Sequence, residues 1–240
     1  MSYGLIPYDK KSRQFFKNRR RRIIIVIFLI TIIAASGIFY VILKDNNNVL
    51  ENSMQYTDEQ LLTVVNIQSP LEPNYIPELA DCKGFKVSTM ASDSLEAMID
   101  DAESQGMKVK IKSAYISYNE QEKLYDEVLK SFLSNTGYTQ VRAEAAAQRI
   151  VPLAGHSEAQ TGLLVELEFI DDRSRAYIER TCINYGFIQR YPENKTSLTR
   201  RDADNTIYRF VGADNAVKMR SYNMRLEEYN IYISEQKSQN

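Results

Sequence analysis

A metal site or a general base in this sequence would draw on its one histidine and on nearby carboxylates. The 240 residues include a single histidine, His156, and the carboxylates that follow it include Glu166, Asp202 and Asp204. Imidazole and carboxylate groups bind zinc, whereas carboxylates alone suit Ca²⁺ or Mg²⁺. Their spacing does not require a metal, and a loop histidine with solvated loop acids is the alternative. We expect no metal site, and His156, Glu166 and Asp204 are the weak candidates for one.

A membrane anchor is predicted near the N-terminus. Ile23 to Leu43 form a run of 21 residues without a charge, which as a helix spans about 31 Å, close to the hydrocarbon thickness of a bilayer. Residues 1–22 carry eight basic residues and one acid, and such a flank stays in the cytoplasm. The sequence therefore predicts a single-pass cell-membrane protein whose C-terminal part lies outside. Cleavage of a signal peptide near Ala34 to Ser36 is the alternative.

The part of the chain that follows the anchor is acidic. Of the 30 basic and 31 acidic residues, 8 and 1 lie in the N-terminal tail, which leaves 22 and 30 and a net charge of −8. This charge argues against nucleic acid as a partner. Cys82 and Cys182 also lie here, where an oxidising compartment would permit a disulfide, although two buried free thiols fit the sequence as well.

The order of elements predicts one globular domain. Residues 44–60 have the polar composition of a stalk, residues 61–234 form the domain, and residues 235–240 are predicted to be a disordered tail. Apolar spacing predicts helices over residues 92–105 (with Asp93 as N-cap), 118–134, 139–150, 174–185, 213–222 and 225–234. Strands are predicted over residues 108–113, 163–168 and 207–211. This order indicates an α+β fold, with a small, mainly antiparallel sheet packed with helices.

Three segments of this domain resemble a known family. They read SAYISYNEQEKLY (residues 113–125), AGHSEAQTGLLVELE (residues 154–168), and YGFIQRYPENK with DNTIYRFVG (residues 185–195 and 204–212). They are similar, in order and spacing, to S-G-Y-R-S-Y-x-x-Q-x-x-L-Y, P-G-x-S-E-H-Q-T-G-L-A-V-D, and Y-G-F-I-x-R-Y-P-x-x-K with E-P-W-H-x-R-Y-V-G of the VanY-type D-alanyl-D-alanine carboxypeptidases. The segment VVNIQSPLEPNYIPEL (residues 64–79) extends the resemblance over most of residues 61–234. It implies the fold of zinc enzymes that trim D-Ala from peptidoglycan stem peptides.

The resemblance also shows where the family's chemistry would lie, and five of those positions are changed. The two zinc-binding histidines fall on Ala159 and Ile207, which have no donor atom, and the zinc-binding Asp falls on Glu166. The general base, a Glu in the family, falls on Asp204, and the Arg that holds substrate and developing negative charge falls on Ile116. We therefore expect no intact catalytic site and no cofactor. Zinc would be needed only if His156 and Glu166 supported an unusual active centre.

Polar residues that still match the family are candidates for a peptide groove. They are Tyr115, Ser117, Gln121, Ser157, Gln160 and Arg209. Each has a structural alternative, as a core aromatic, a turn hydroxyl or a member of an ion pair.

Three functions are compatible with this sequence. The first is a catalytically inactive member of the family that binds or regulates at the cell wall, with peptidoglycan stem peptides as partners. The second is an active metal-dependent carboxypeptidase with unusual ligands. The third is an interaction module for an envelope protein, without a wall ligand.

Overall fold

The computed structural model of the chain describes residues 56–134 and 137–238. The helices are α1 (Asp58–Leu61), α2 (Thr89–Ser104), α3 (Tyr118–Leu133), α4 (Gln140–Ile150), α5 (Asp172–Thr181), α6 (Thr196–Thr199), α7 (Ala213–Ser221) and α8 (Leu226–Ser238). The strands are β1 (Leu79–Cys82), β2 (Phe85–Ser88), β3 (Val109–Ser113), β4 (Leu164–Phe169), β5 (Phe187–Tyr191) and β6 (Asp204–Phe210). Short 3₁₀ helices cover Glu158–Thr161, Cys182–Tyr185 and Glu193–Lys195.

The strands of the described residues form two antiparallel sheets. Strands β1 and β2 make a hairpin, and the other four lie in the order β3-β4-β6-β5. The expected α+β class with small antiparallel sheets is confirmed.

The four-stranded sheet has two different faces. Val165 of β4 and Tyr208 of β6 are paired and face the hydrophobic core, together with side chains of α2 and α5. Successive residues of a strand point to opposite faces, so the next pair, Glu166 and Ile207, lies on the other face. That face carries two of the positions at which the family's chemistry was expected, Glu166 and Ile207.

Capping side chains set where the helices begin. Ser88 accepts a hydrogen bond from the backbone N–H of Met90 at 3.3 Å, so α2 starts at Thr89 and the predicted N-cap Asp93 is wrong. Ser117 and Glu120 form a capping box at the start of α3, which begins where it was predicted. The predicted helix over residues 174–185 divides into α5 and the 3₁₀ helix Cys182–Tyr185.

Two parts of the sheet structure were not predicted from the sequence. The hairpin of β1 and β2 consists of two strands of four residues each, too short for a clear alternation. Strand β5 is buried on both faces at most of its positions, so its side chains do not alternate in polarity.

The folded region is longer than predicted at both ends. Thr57 caps α1, Leu61 is buried in the core, and Tyr56 packs against that core, so residues 56–60 belong to the domain rather than to a stalk. Helix α8 continues to Ser238, so residues 235–238 are helical and not a disordered tail.

Residues 1–55, 135–136 and 239–240 lie outside the described residues, and so does the predicted membrane helix Ile23–Leu43. Within residues 56–134 and 137–238, no helix is both long enough and apolar enough to cross a bilayer.

The two cysteines are free and buried, which decides between the two alternatives that the sequence left open. Burial raises the pKa of Cys82 to about 11 and that of Cys182 to about 12, so both thiols stay protonated near neutral pH.

We expect Gly162→Ala to destabilise the domain more than Gly106→Ala. Both glycines have positive φ, +68° and +74°, so each substitution carries a backbone cost of about 1–2 kcal/mol. A Cβ at Gly162 would lie 2.7 Å from the Ser88 nitrogen, whereas one at Gly106 meets nothing within 4 Å. The clash should add about 1–3 kcal/mol at Gly162. Urea denaturation followed by circular dichroism measures both, and equal losses would contradict the close approach.

Candidate functional site

The five changed positions of the expected centre lie on adjoining elements. The backbone N–H of Ile116 donates to the carbonyl oxygen of Ala159 at 3.4 Å. Glu166 and Ile207 are paired across β4 and β6, and Asp204 begins β6. The fold therefore places these positions on neighbouring elements. The two positions that the resemblance assigns to histidines carry the aliphatic side chains of Ala159 and Ile207.

The Glu166 carboxylate is held by an ammonium group and a hydroxyl group. Lys112 Nζ donates to Oε1 at 2.7 Å, and Ser113 Oγ donates to Oε2 at 3.1 Å. The hydrogen bond to Glu166 and the charges of Glu166 and Asp204 raise the pKa of Lys112. Both carboxylate oxygens thus have hydrogen-bond partners, and the nearest positive charge is that of Lys112.

These residues do not fit a zinc ion. Zinc requires three protein ligands in a catalytic site, and Ala159 and Ile207 have no donor atom. Among the described residues, His, Cys, Asp and Glu side chains do not form a group of three that could hold a metal ion.

The other two weak metal candidates are engaged locally. The Nδ1 atom of His156 lies 3.0 Å from the Asn66 carbonyl oxygen, which can only accept, so Nδ1 is the donor. One oxygen of Asp204 accepts from the backbone N–H of Thr206 at 2.8 Å and from its hydroxyl at 2.6 Å. Asp204 therefore caps a turn at the start of β6.

A buried ionic cluster lies behind the centre. Arg190 donates to both oxygens of Glu158 at 2.9 Å, and Arg209 Nε lies 3.5 Å from the same carboxylate. Arg190 also donates to Glu227 of α8 at 2.6 Å. The side chains of Glu158, Arg190 and Arg209 are only 1%, 3% and 0% exposed, so water screens these charges little. The cluster joins the 3₁₀ helix to strands β5 and β6.

This cluster sets the protonation of its carboxyl group. Burial on its own would raise the pKa of Glu158. The charge and hydrogen bonds of Arg190, together with the charge of Arg209, lower this pKa below its ordinary value. Glu158 is therefore ionised in the folded domain at neutral pH.

Most of the predicted groove residues make hydrogen bonds that support the fold. Gln121 donates to the Pro152 carbonyl oxygen at 2.7 Å, and Gln160 accepts from the Gly155 N–H at 2.7 Å. Ser157 is buried and accepts from the Ala159 N–H, and Ser117 caps α3. Arg209 is fully buried and donates to the Leu61, Thr63 and Phe210 carbonyl oxygens. The side chain of Tyr115 is half-buried, and it is the one groove candidate whose side chain has no such hydrogen bond within the described residues.

Sequence reasoning did not identify Lys112 or the acid Glu158. The alternation of β3 gives the signal for Lys112, since Val109 and Ile111 are buried and Lys110 and Lys112 are exposed on the face that also carries Glu166. Glu158 matches the Glu of the motif P-G-x-S-E-H, but that match does not reveal its partners, which lie 32 residues away or more.

Comparisons with known proteins show which family the domain resembles. A family model described as VanY, D-alanyl-D-alanine carboxypeptidase, matches residues 84–213. A D-alanyl-D-alanine carboxypeptidase of Enterococcus faecalis is 30% identical over 188 residues, which cover 75% of this chain and 70% of that protein.

Solved structures show the same likeness. A variant of the vancomycin resistance D,D-pentapeptidase VanY in complex with Zn(II) has a TM-score of 0.66 and 30% identity, covering 71% of this chain and 99% of the other. VanYB in complex with D-alanine-D-alanine also has a TM-score of 0.66 and 30% identity, covering 70% of this chain and 96% of the other.

Glu158→Gln is expected to lower the free energy of unfolding by about 3–5 kcal/mol, because two arginines lose their shared counter-charge in a buried setting. The native carboxyl has a lowered pKa, so its stabilisation is present above the unfolded pKa of about 4.3 and is lost as pH falls through the folded value. The variant should lack this part of the pH dependence. Urea denaturation at several pH values between 7 and 3 measures both effects.

Glu122→Gln is the matched control, since Glu122 is exposed on α3. It should change the free energy of unfolding by less than about 0.5 kcal/mol. The same acid slope in the wild type and in Glu158→Gln would contradict the importance of the buried carboxylate.

Proposed function

Because this chain belongs to the VanY family of D-alanyl-D-alanine carboxypeptidases, we propose that it is a non-hydrolysing member that binds peptidoglycan stem peptides. The observation that carries the proposal is the state of Glu166, which is bonded to Lys112 and Ser113 while Ala159 and Ile207 stand at the other ligand positions. A peptide bond resists attack by water unless a metal or a general base activates that water. We infer that this domain binds without cutting.

The substitution at Ile116 supports the same proposal. In the family pattern an arginine at this position holds substrate and developing negative charge, and an aliphatic side chain cannot stabilise that charge. Stabilisation of the transition state is the part that is lost, whereas ground-state binding of a peptide does not require it.

A membrane anchor completes the proposal. The uncharged segment Ile23–Leu43 and the basic residues before it would keep the N-terminus in the cytoplasm and place the VanY domain outside, next to the wall. The domain would then act as a tethered wall-binding or regulatory module.

The first test is the release of D-Ala. We expect the purified full-length chain to release no D-Ala from a pentapeptide ending in D-Ala-D-Ala, with or without added zinc, because its centre lacks two donor side chains. Amino-acid analysis of the product and metal analysis of the protein measure this. Release that a chelator abolishes, with one zinc per chain, would instead establish an active carboxypeptidase.

The positive control for that test is the triple variant Ala159→His, Glu166→Asp, Ile207→His. It rebuilds the three-ligand set of the family on the same scaffold, so it should bind about one zinc per chain. Zinc binding by this variant but not by the wild type would show that the missing donors, and not a misfolded site, exclude the metal.

The second test is binding to the wall. We expect the full-length chain to sediment with purified peptidoglycan that carries intact pentapeptides, and to sediment less after the two terminal D-Ala residues have been removed. Quantification of the bound fraction measures this. No sedimentation with either preparation would contradict the proposal and favour an envelope protein as the partner.

A further inference from the structure

A cavity of about 200 Å³ adjoins the degenerate centre. Its wall includes His156, in the loop that leads to Ala159, and Tyr191, which is paired with Asp204 across β5 and β6. It exceeds the roughly 150 Å³ of an engineered protein cavity that binds benzene. It therefore fits the end of a short peptide but not a whole stem peptide.

Three arginines line this cavity, and only one of them is neutralised. Arg190 donates to both Glu158 and Glu227, so its charge is matched within the protein. Arg200 and Arg201 also line the cavity, and neither forms an ion pair within 4 Å among the described residues. Two positive charges thus remain at the cavity wall, that of Arg200 on an exposed side chain and that of Arg201 on a partly buried one.

Arg201 has unused hydrogen-bonding capacity. Its Nη1 donates to the Gln148 carbonyl oxygen at 3.0 Å and its Nη2 donates to that of Ile150, at the end of α4. Its Nε is buried and has no hydrogen-bond partner in the described part of the chain. Burial lowers the pKa of Arg201, which is the direction expected for a charge that its surroundings do not fully compensate. Nε presents no surface that a ligand could reach, but Nη1 and Nη2 each carry a second N–H that can donate to a ligand.

Arg200 adds a second guanidinium at a position where arginine is unfavourable. It ends α6 with φ of 55°, in the left-handed region that glycine or asparagine usually occupies. An arginine there costs about 1–2 kcal/mol of backbone strain. No hydrogen bond or ion pair of its side chain with the described residues offsets this cost.

The rest of the wall restricts the class of ligand. Val65, Pro152 and Leu198 provide apolar surface, which suits a small aliphatic side chain. The Glu227 carboxylate is also part of the wall and would repel a second negative charge on the ligand. A monoanion with a small apolar neighbour fits these features better than a dianionic phosphate does.

We propose that this cavity binds the terminal carboxylate of a short peptide, with Arg200 and Arg201 as its ligands. The proposal rests on the proposed function in taking that peptide to be a peptidoglycan stem peptide. The site lies beside the former metal centre, so the carboxylate is recognised from α6 and the loop after it, and not from the position of Ile116.

The test is isothermal titration of the full-length chain with diacetyl-L-lysyl-D-alanyl-D-alanine, with the same peptide carrying a C-terminal amide, and with inorganic phosphate. A charge-assisted hydrogen bond contributes enough that the amide should bind about 10- to 100-fold more weakly than the free acid. Arg200→Gln and Arg201→Gln should each weaken binding of the acid by a similar factor, and neither should change binding of the amide.

Arg173→Gln is the matched control, since Arg173 is exposed on α5 and outside the cavity wall. It should leave the affinity unchanged. Arg200 has no structural partner among the described residues, so Arg200→Gln stays informative if Arg201→Gln fails to fold.

The outcomes separate the two proposals. Tight binding of the acid that survives both arginine substitutions would overturn this site while leaving stem-peptide binding intact. No binding of either peptide would overturn both proposals. Phosphate that binds as tightly as the acid would overturn the assignment of a carboxylate, and loss of binding of the acid in the two arginine variants alone would establish the site.

Discussion

The ionic cluster of Glu158, Arg190 and Arg209 is the interaction on which the rest of this domain depends. Arg190 extends it to Glu227 of α8, and Arg209 extends it to the backbone carbonyl groups of Leu61 and Thr63. One carboxylate therefore connects the start of the domain, the loop of the centre, two strands and the last helix. A buried pair of this kind adds little net stability compared with apolar residues, but the loss of one member leaves an uncompensated charge inside the protein. The cluster therefore stabilises the domain only when all of its members are present. It fixes the shape of the centre independently of a metal.

The residues through which this chain resembles its family include several that support the backbone. Gln121, Ser157 and Gln160 match the pattern because they hold backbone groups in the loop before β4, and that task is the same with or without zinc. Matches of this kind are evidence for the fold and not for catalysis. At Ile116, Ala159 and Ile207 the backbone hydrogen bond and the strand pairing are present, whereas in the proposed function their side chains no longer act on a substrate or metal.

The fold was predictable from the sequence where a local signal determined it. Helix α3 has a capping box and a clear apolar face, and its predicted start agrees with the structure. Strand β5 was missed because it is buried on both faces, and the N-cap of α2 was misplaced because the strand β2 ends directly at Ser88. In the site, the changed positions followed from the motif spacing. The partners of Glu158 and the cavity beside Arg201 did not, because both depend on residues that are distant in the sequence and meet only in the folded chain.

The Lys112–Glu166 pair shows how the centre can keep a carboxylate without a metal. A partly buried carboxylate needs a positive charge or hydrogen-bond donors nearby, and Lys112 and Ser113 of β3 supply both across the strand pair with β4. The ammonium group carries one charge, is strongly hydrated, and has no open coordination position at which water could be activated. The pair therefore replaces the electrostatic role of a cation and cannot replace its catalytic role. The negative charge of Glu166 is matched inside the centre, whereas Arg200 and Arg201 have no ion-pair partner among the described residues, so they are the groups proposed to bind an anion in the adjoining cavity.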